Sequence, residues 1–96
     1  MQDFFVYILL CKDNSYYIGH TDNIEKRLAG HQSGAYEGYT AARLPVELVF
    51  LQTFQTRDEA FVVEQRIKRW TRCKKEALIN ADWNELKDLA KKKFGN

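Results

Sequence analysis

The chain has 96 residues, a hydrophobic fraction of 45% and a formal net charge of +2. This length predicts one domain with a core that needs no disulfides, and this composition excludes an intrinsically disordered chain. The small net charge alone does not indicate a nucleic-acid partner, so the local distribution of basic residues matters more.

The sequence favours a cytoplasmic protein with reduced thiols and no membrane partner. The first residues lack the basic region of a secretory signal, and the apolar run at residues 4–11 is far too short to span a bilayer. Cys11 and Cys73 have neither metal-site spacing nor the pattern of a disulfide framework.

Two strands are predicted near the start of the chain. Residues 4–11 are almost continuously apolar and aromatic, which is typical of a strand buried on both faces. A polar, turn-prone segment at residues 12–15 leads into a second strand at residues 16–20. The pair is therefore predicted to form a hairpin.

A helix, a loop and a third strand follow. Asp22 and Glu25 have the spacing of a capping box, which predicts a helix from there to residue 31 or 32, before Gly34. Residues 33–44 contain few aliphatic side chains and predict a loop. Apolar residues at even positions then predict the third strand: Val46, Leu48, Phe50 and Phe54.

The rest of the chain is predicted to be helical. Thr56 and Glu59 form a second capping box, and apolar residues at helical spacing follow it: Ala60, Val63, Ile67 and Trp70. A short helix is predicted at about residues 72–79, and Asp82 marks the start of a last amphipathic helix. The order ββαβααα predicts an α+β fold in which helices flank a three-stranded antiparallel sheet.

Three ionisable residues lie where amphipathic helices normally carry apolar side chains. Arg27 and His31 share one face of the first predicted helix with aliphatic residues, and Glu64 lies on the apolar face of the second. A buried charge is costly unless it is paired or binds a ligand. The pattern indicates either an Arg27–Glu64 ion pair, or side chains at the stripe edge that reach water, or a polar pocket on the sheet.

Tyr7 and Tyr17 enter one pocket only if both project from the same face of the hairpin. Side chains alternate along a strand, so the hairpin register decides this. A two-residue loop at residues 13–14 places Tyr7 opposite His20 and turns Tyr17 to the other face. A loop with an odd number of residues, such as 13–15, puts both on one face. A shared site therefore predicts the odd loop.

The order and spacing of these segments resemble the GIY-YIG nuclease superfamily. Residues 5–7 read FVY, a loose form of the first triplet, residues 17–19 read YIG, and Arg27 follows eight residues after the glycine. The resemblance is strongest over residues 5–31, extends to about residue 79, and is closest to small stand-alone members. It implies a catalytic domain over residues 1–82, with residues 83–96 as a helix that packs on it or extends it. It also implies an endonuclease that hydrolyses nucleic-acid phosphodiester bonds in DNA repair, recombination or processing.

The resemblance also implies the roles of five residues. Tyr7 and Tyr17 match the motif tyrosines, Arg27 matches the family arginine, and His31 matches a histidine of some branches. Glu64 matches the glutamate that binds a single Mg²⁺ or Mn²⁺ ion. Tyr17, helped by Tyr7 or His31, is expected to activate the attacking water, and a purely structural role for His31 stays open.

Basic residues are expected to contact the nucleic-acid backbone. Residues 66–75 contain six basic side chains and no acidic one, a pattern typical of either a solvated helix face or a phosphate-binding surface. The expected contacts are Arg43, Lys68, Arg69, Arg72, Lys74 and Lys75. The sequence has no helix-turn-helix or zinc-finger pattern, so we expect structure-dependent or weakly selective binding. We expect DNA rather than RNA as the substrate and a monomer rather than an oligomer. A protein partner is a candidate source of specificity.

Two alternatives to the nuclease remain open. One is a domain of the same fold that holds nucleic acid without cutting it. The loose first triplet favours it, as does His20, which stands where some members have a lysine. Asn80 is the only candidate for a late asparagine that some members use. The second alternative is a small interaction domain whose aromatic strands serve only as core.

Overall fold

The computed structural model describes residues 3–35 and 38–80. Its elements in chain order are β1 (Phe4–Leu10), β2 (Tyr16–Thr21), α1 (Ile24–Gln32), a 3₁₀ helix (Ala41–Arg43), β3 (Glu47–Phe54), α2 (Arg57–Lys68) and α3 (Arg72–Ile79). The predicted α+β fold is therefore confirmed. The last predicted helix and the boundary at residues 82–83 lie outside the described residues. Within the described ranges, no helix is long and apolar enough to cross a membrane.

Strand β1 lies at the centre of the sheet, whose order is β2-β1-β3 with antiparallel neighbours. Val6 and Ile8 pack in one core cluster with residues of α2 and α3, whereas Tyr7 and Leu9 pack in a second cluster with residues of α1. All four side chains are fully or almost fully buried. Cover on both faces explains why the β1 sequence is continuously apolar.

The hairpin register places Tyr7 and Tyr17 on the same face. Tyr7 pairs with Gly19, and Leu9 pairs with Tyr17, so odd-numbered residues oppose each other. The backbone N–H of Cys11 donates to the Ser15 carbonyl, which leaves an odd turn at residues 12–14 instead of the suggested 13–15. Asn14 closes this turn with φ of 67°, a left-handed conformation that asparagine tolerates better than most residues. The prediction of an odd loop is confirmed.

The even-numbered apolar residues of β3 do not share one face. The β1–β3 register shifts between Ile8 and Leu9, which pair with Phe50 and Leu48 respectively. This bulge inserts Val49 as an extra residue, so Leu48 packs on the α1 side whereas Phe50 packs on the α2 side. A count of alternating residues does not reveal a bulge, so the even spacing predicted the strand correctly but could not predict which face each side chain occupies.

Helix α1 begins one residue later than the Asp22 capping box predicted. Asn23 is its N-cap, and the Asn23 side-chain oxygen accepts a hydrogen bond of 3.1 Å from the Lys26 N–H. Strand β2 continues to Thr21, whose hydroxyl accepts from the Asn23 N–H and so moves the helix start past Asp22. The capping prediction at Asp22 was therefore wrong.

The second helix begins as predicted but ends earlier. The Thr56 hydroxyl accepts a hydrogen bond of 3.2 Å from the Glu59 N–H at the start of α2. Helix α2 ends at Lys68, so Trp70 lies beyond it although it continues the apolar spacing. Thr71 then caps α3 through the Lys74 N–H, which separates the two helices.

We expect Asn23→Ala to lower the free energy of unfolding by roughly 1 kcal/mol, the usual effect of losing an N-cap side chain. Asp22→Ala is the matched control, because Asp22 is the neighbouring residue that does not cap the helix, and its exposed carboxylate pairs with Arg57 at 3.4 Å. Such a pair typically contributes less than about 1 kcal/mol. Urea unfolding of both variants measures the difference, and an equal or larger loss for Asp22→Ala contradicts the assignment of the cap.

Candidate active site

A cavity of about 420 Å³ lies over the edge of the sheet at β2. Four of the five residues with predicted catalytic or metal-binding roles line it: Tyr7, Tyr17, Arg27 and Glu64. The two tyrosines project on the α1 side of the sheet, whereas Glu64 comes from α2 on the other side. The predicted polar pocket therefore wraps around a strand edge instead of lying on one face.

Gly19 allows the Tyr7 ring to pass across β2. A Cβ atom at this glycine would lie 2.6 Å from the Tyr7 Oη atom and 2.7 Å from its Cζ atom. Side chains essentially never make contacts this short, so any larger residue displaces the ring or the strand. The glycine of the motif is thus required by the position of the tyrosine on the neighbouring strand.

His31 lies behind Tyr7 in a buried line of three polar side chains. The Tyr7 Oη atom is 3.0 Å from the His31 Nε2 atom, and the Thr40 Oγ1 atom is 2.8 Å from His31 Nδ1. Burial lowers the pKa of His31, and the positive charge of Arg27 lowers this pKa further. The imidazole is therefore neutral near pH 7 and has one donor and one acceptor nitrogen. This arrangement allows His31 to accept the Tyr7 proton.

The depressed pKa of His31 predicts a loss of stability in mild acid. As pH falls, the unfolded chain takes up a proton at about 6.5, before the folded chain does. The free energy of unfolding should therefore fall as pH drops from 7.5 to 5.5, a window above the carboxylate range. His31→Gln should flatten this dependence, which urea unfolding at several pH values measures. An unchanged slope in the variant contradicts the burial of a neutral imidazole.

Tyr17 lies between the buried line and the cavity. Its ring centroid is 5.1 Å from that of His31 and 6.3 Å from that of Tyr7. Tyr17 is half-buried, whereas Tyr7 is only 1% exposed. Tyr17 is thus the better placed of the two tyrosines to contact a substrate, and Tyr7 is placed to connect the cavity wall to His31.

The Glu64 carboxylate binds two basic side chains. Its Oε1 atom lies 2.6 Å from His20 Nδ1, and its Oε2 atom lies 3.0 Å from Lys68 Nζ and 2.9 Å from Gln65 Nε2. The structure thus pairs Glu64 with these groups instead of with Arg27, the partner considered from the sequence. Burial of Glu64 acts to raise its pKa, but the hydrogen bonds and charges of His20 and Lys68 outweigh burial and lower it. The carboxylate is therefore ionised at neutral pH.

The chemistry of the site fits a metal ion with one protein ligand. No group of three or more His, Cys, Asp or Glu side chains that could enclose a metal occurs within residues 3–35 and 38–80. Mg²⁺ usually retains several waters and binds through one or two carboxylates, so the ionised Glu64 at the cavity suffices as its ligand. His20 and Lys68 hold this carboxylate in place, and metal binding at either oxygen competes with one of them.

The predicted nucleic-acid contacts do not form one surface. Lys68 lines the main cavity, and Lys75 lines a smaller cavity beside it. Arg69 borders a separate cavity with the exposed Phe61 on the outside of α2. The Lys74 Nζ atom lies over the Trp70 ring at 4.4 Å. The basic run at residues 66–75 is therefore divided, with only part of it near the candidate catalytic residues.

Arg43 and Arg72, the remaining two predicted nucleic-acid contacts, each cover a tyrosine ring. The Arg43 guanidinium lies 3.9 Å from the centre of the Tyr39 ring, and that of Arg72 lies 4.4 Å from the centre of the Tyr16 ring. Both arginines are thus held close to β2 by aromatic contacts, a role that their position in the sequence does not indicate.

Three site residues were not predicted to contribute. His20 contacts the candidate metal ligand, and its place directly after Gly19 was the signal that could have identified it. Arg57 lines the cavity from the first turn of α2 and pairs with Asp22 at 3.4 Å. Thr40 is hydrogen-bonded to His31 at the end of the buried line that begins at Tyr7. Nothing in the local sequence marks Arg57 or Thr40, because both approach the site only through the packing of distant segments.

The chain is similar to a known protein family over most of its length. Residues 3–77 match the family model described as the GIY-YIG catalytic domain. A UPF0213 protein of Streptococcus pneumoniae is 45% identical over 84 residues, which cover 85% of each chain. The UPF0213 protein YazA of Bacillus subtilis is 44% identical over 80 residues, covering 83% of this chain and 81% of the relative.

Two solution NMR structures share the fold. The protein EF2693 from E. faecalis is 38% identical and superposes with a TM-score of 0.59, covering 84% of this chain and 86% of that one. The UPF0213 protein BH0048 from Bacillus halodurans is 39% identical with a TM-score of 0.55, covering 82% of this chain and 84% of that one. The resemblance read from the motif triplets is therefore confirmed along most of the chain.

Proposed function

Because the chain belongs to the GIY-YIG family, we propose that it is a divalent-metal-dependent endonuclease that hydrolyses phosphodiester bonds in nucleic acid. The observation that carries this proposal is the cavity at β2, where Tyr17, Arg27 and Glu64 line one space. Hydrolysis of a phosphodiester needs an activated water and positive charge beside the phosphate, and this cavity contains groups suited to both tasks.

Positive side chains on the cavity wall would bind the scissile phosphate. Arg27 lines the wall from α1, and Arg57 and Lys68 line it from the two ends of α2. An arginine can donate two parallel hydrogen bonds to phosphate oxygens, which orients the group as well as neutralising it. The side chains come from opposite sides of β2 and therefore approach the phosphate from different directions.

The two tyrosines and His31 would activate the attacking water. Tyr17 borders the cavity and is the proposed group that contacts the water. Tyr7 also lines the cavity and would take the proton of the attacking water as it passes its own hydroxyl proton to His31 Nε2, 3.0 Å away.

Glu64 would hold the metal at the opposite side of the cavity. A bound Mg²⁺ or Mn²⁺ supplies charge stabilisation at the phosphate and at the leaving oxygen. His20 and Lys68 orient the carboxylate, since each contacts a different oxygen. Such support of a ligand by a second layer of hydrogen bonds is a common requirement of metal sites.

One observation favours a second candidate function, a binding module that does not cut. His20 and Lys68 each contact one oxygen of the Glu64 carboxylate, the group proposed to bind the metal. A domain in which this pairing outcompetes a metal ion would retain the phosphate-binding cations and lack the metal. The two functions differ in a single measurable property, the dependence of strand cleavage on divalent metal.

Finer parts of the proposal rest on composition and chemistry. We extend it to DNA in preference to RNA, to processing in repair or recombination, and to a monomer to which a protein partner adds specificity. A cytoplasmic location fits the nucleic-acid substrate and the two free cysteines, Cys11 and Cys73.

The test is cleavage of matched DNA and RNA oligonucleotides as single strands, duplexes, flaps and junctions, with Mg²⁺, with Mn²⁺ and with EDTA. We expect cutting of at least one DNA substrate with a divalent metal and none with EDTA. Salt-sensitive binding without cutting under any condition supports the binding module instead. Absence of both binding and cutting contradicts both candidates.

A further inference from the structure

A second cavity, of about 200 Å³, adjoins the catalytic cavity along β2. The two cavities share Tyr17, Ile18 and Lys68 on their walls. The second one extends toward the start of β2 and is also lined by Tyr16, Tyr39 and Lys75. Its walls are thus mainly aromatic and apolar with two lysines, whereas the catalytic cavity has many charged groups.

The Tyr39 ring is exposed although it is held in place. Its residue is 40% exposed, and its ring centroid is 6.2 Å from that of Tyr17. Arg43 covers the ring at 3.9 Å and is itself fixed by Asp13 at 2.9 Å and by the Tyr39 carbonyl oxygen at 2.9 Å. A ring ordered in this way loses little conformational entropy when a ligand stacks on it.

The Tyr16 ring repeats this arrangement on the other side of the strand. Arg72 covers it at 4.4 Å, and Arg72 also donates a hydrogen bond to the Asn14 carbonyl oxygen. Two tyrosines held by arginines therefore line one cavity, directly beside the site proposed for a phosphate. None of the proposed catalytic steps uses either ring.

We propose that this second cavity binds an unstacked nucleobase of the nucleotide next to the scissile phosphate, with Tyr39 as its principal stacking residue. The inference rests on the proposed nuclease function. Stacking of bases on aromatic side chains is favourable and tolerant of base identity, and lysines beside such rings bind the connecting phosphates. Lys68 lies on both walls and Lys75 on one, which matches a ligand that is anionic at one end and aromatic at the other.

The substrate class follows from the geometry of stacking. A base that is paired and stacked in a duplex presents no free face to a protein ring, so it must leave the stack before it binds here. The substrate therefore has an unpaired nucleotide at the cut, from a single-stranded flap or gap or from a base extruded from a duplex. Flap, gap and mismatch substrates of one sequence distinguish these sources.

The test combines abasic substitutions in the DNA with changes at Tyr39. Abasic nucleotides are placed one at a time across the cut site, and the cleavage rate is measured for wild type, Tyr39→Ala and Tyr39→Phe. We expect one position at which base removal slows the wild type about 10- to 100-fold. Tyr39→Ala should be slow on normal DNA and insensitive to the abasic site there, whereas Tyr39→Phe should behave like wild type. Equal rates at every abasic position overturn the inference and leave the nuclease intact.

A binding measurement separates this inference from the nuclease itself. A 2-aminopurine base at the same position reports stacking by loss of fluorescence, and Glu64→Gln protein is used so that the DNA stays uncut. Quenching by Glu64→Gln that disappears when Tyr39→Ala is added supports the subsite even if no variant cuts DNA. DNA binding without quenching at any probe position overturns the subsite, whatever the cleavage result.

Discussion

Glu64→Gln is expected to reduce phosphodiester hydrolysis by about 100- to 1,000-fold, the range usual for loss of a major electrostatic group in an active site. The substitution removes the negative charge that would bind the metal but keeps the shape of the side chain and one oxygen acceptor. Because Glu64 is only 5% exposed and contacts three side chains, a neutral isostere disturbs the packing less than alanine would.

Glu47→Gln is the matched control for this prediction. Glu47 is an exposed carboxylate at the start of β3, the strand at the opposite edge of the sheet from the cavity. The Glu47→Gln substitution should leave both cleavage and Mn²⁺ binding unchanged, whereas Glu64→Gln should weaken both. If the Glu64 variant cuts DNA at the wild-type rate, the assignment of Glu64 as metal ligand is wrong.

Gly19→Ala is expected to impair both stability and hydrolysis. The added methyl group would lie 2.6 Å from the Tyr7 Oη atom, 2.7 Å from its Cζ atom and 3.2 Å from the Tyr17 Cε2 atom. Overpacking of this kind typically costs about 1–3 kcal/mol of unfolding free energy. Hydrolysis should fall at least about 100-fold, since displacement of Tyr7 breaks its contact with His31 and a misplaced group near the chemistry has effects of this size.

The Tyr7→Phe variant separates the effect of Gly19→Ala on stability from its effect on hydrolysis. It removes the hydroxyl that contacts His31 but keeps the ring against Gly19, so its stability should remain closer to wild type than that of Gly19→Ala. Urea unfolding and cleavage rates of both variants are compared, and NMR of the His31 ring reports whether the hydrogen bond is lost. Wild-type stability and activity in Gly19→Ala would show that the ring does not pass across the glycine.

Local sequence patterns were sufficient for the positions of most elements. The continuous apolar run of β1, the helical spacing of α2 and its Thr56 cap all depend on neighbours within one or two turns of chain. These local preferences do not depend on where the segment lies in the fold, so they can be recognised from the sequence alone. The predicted N-cap of α1 was wrong by one residue because Thr21 hydrogen-bonds to Asn23. This interaction depends on how far β2 extends.

The candidate site was only partly predictable. Arg27, His31 and Glu64 stood out because they interrupt apolar stripes, and Tyr7 and Tyr17 followed from the motif and from the odd hairpin loop. Their partners were not visible in the same way. The pairing of Glu64 with His20 joins residues 44 positions apart, and His31 reaches Thr40 across a loop.

The amino-acid sequence by itself determined the family and the α+β fold and indicated the candidate catalytic residues, because spacing along helices and strands places side chains on defined faces. The tertiary structure decided that the pocket wraps the β2 edge, that Glu64 binds His20 and Lys68, and that Arg43 and Arg72 cover tyrosine rings. These features depend on how α2 and the loop before β3 pack around one edge strand. Contacts of that kind join distant segments, and periodicity within a segment contains no information about them.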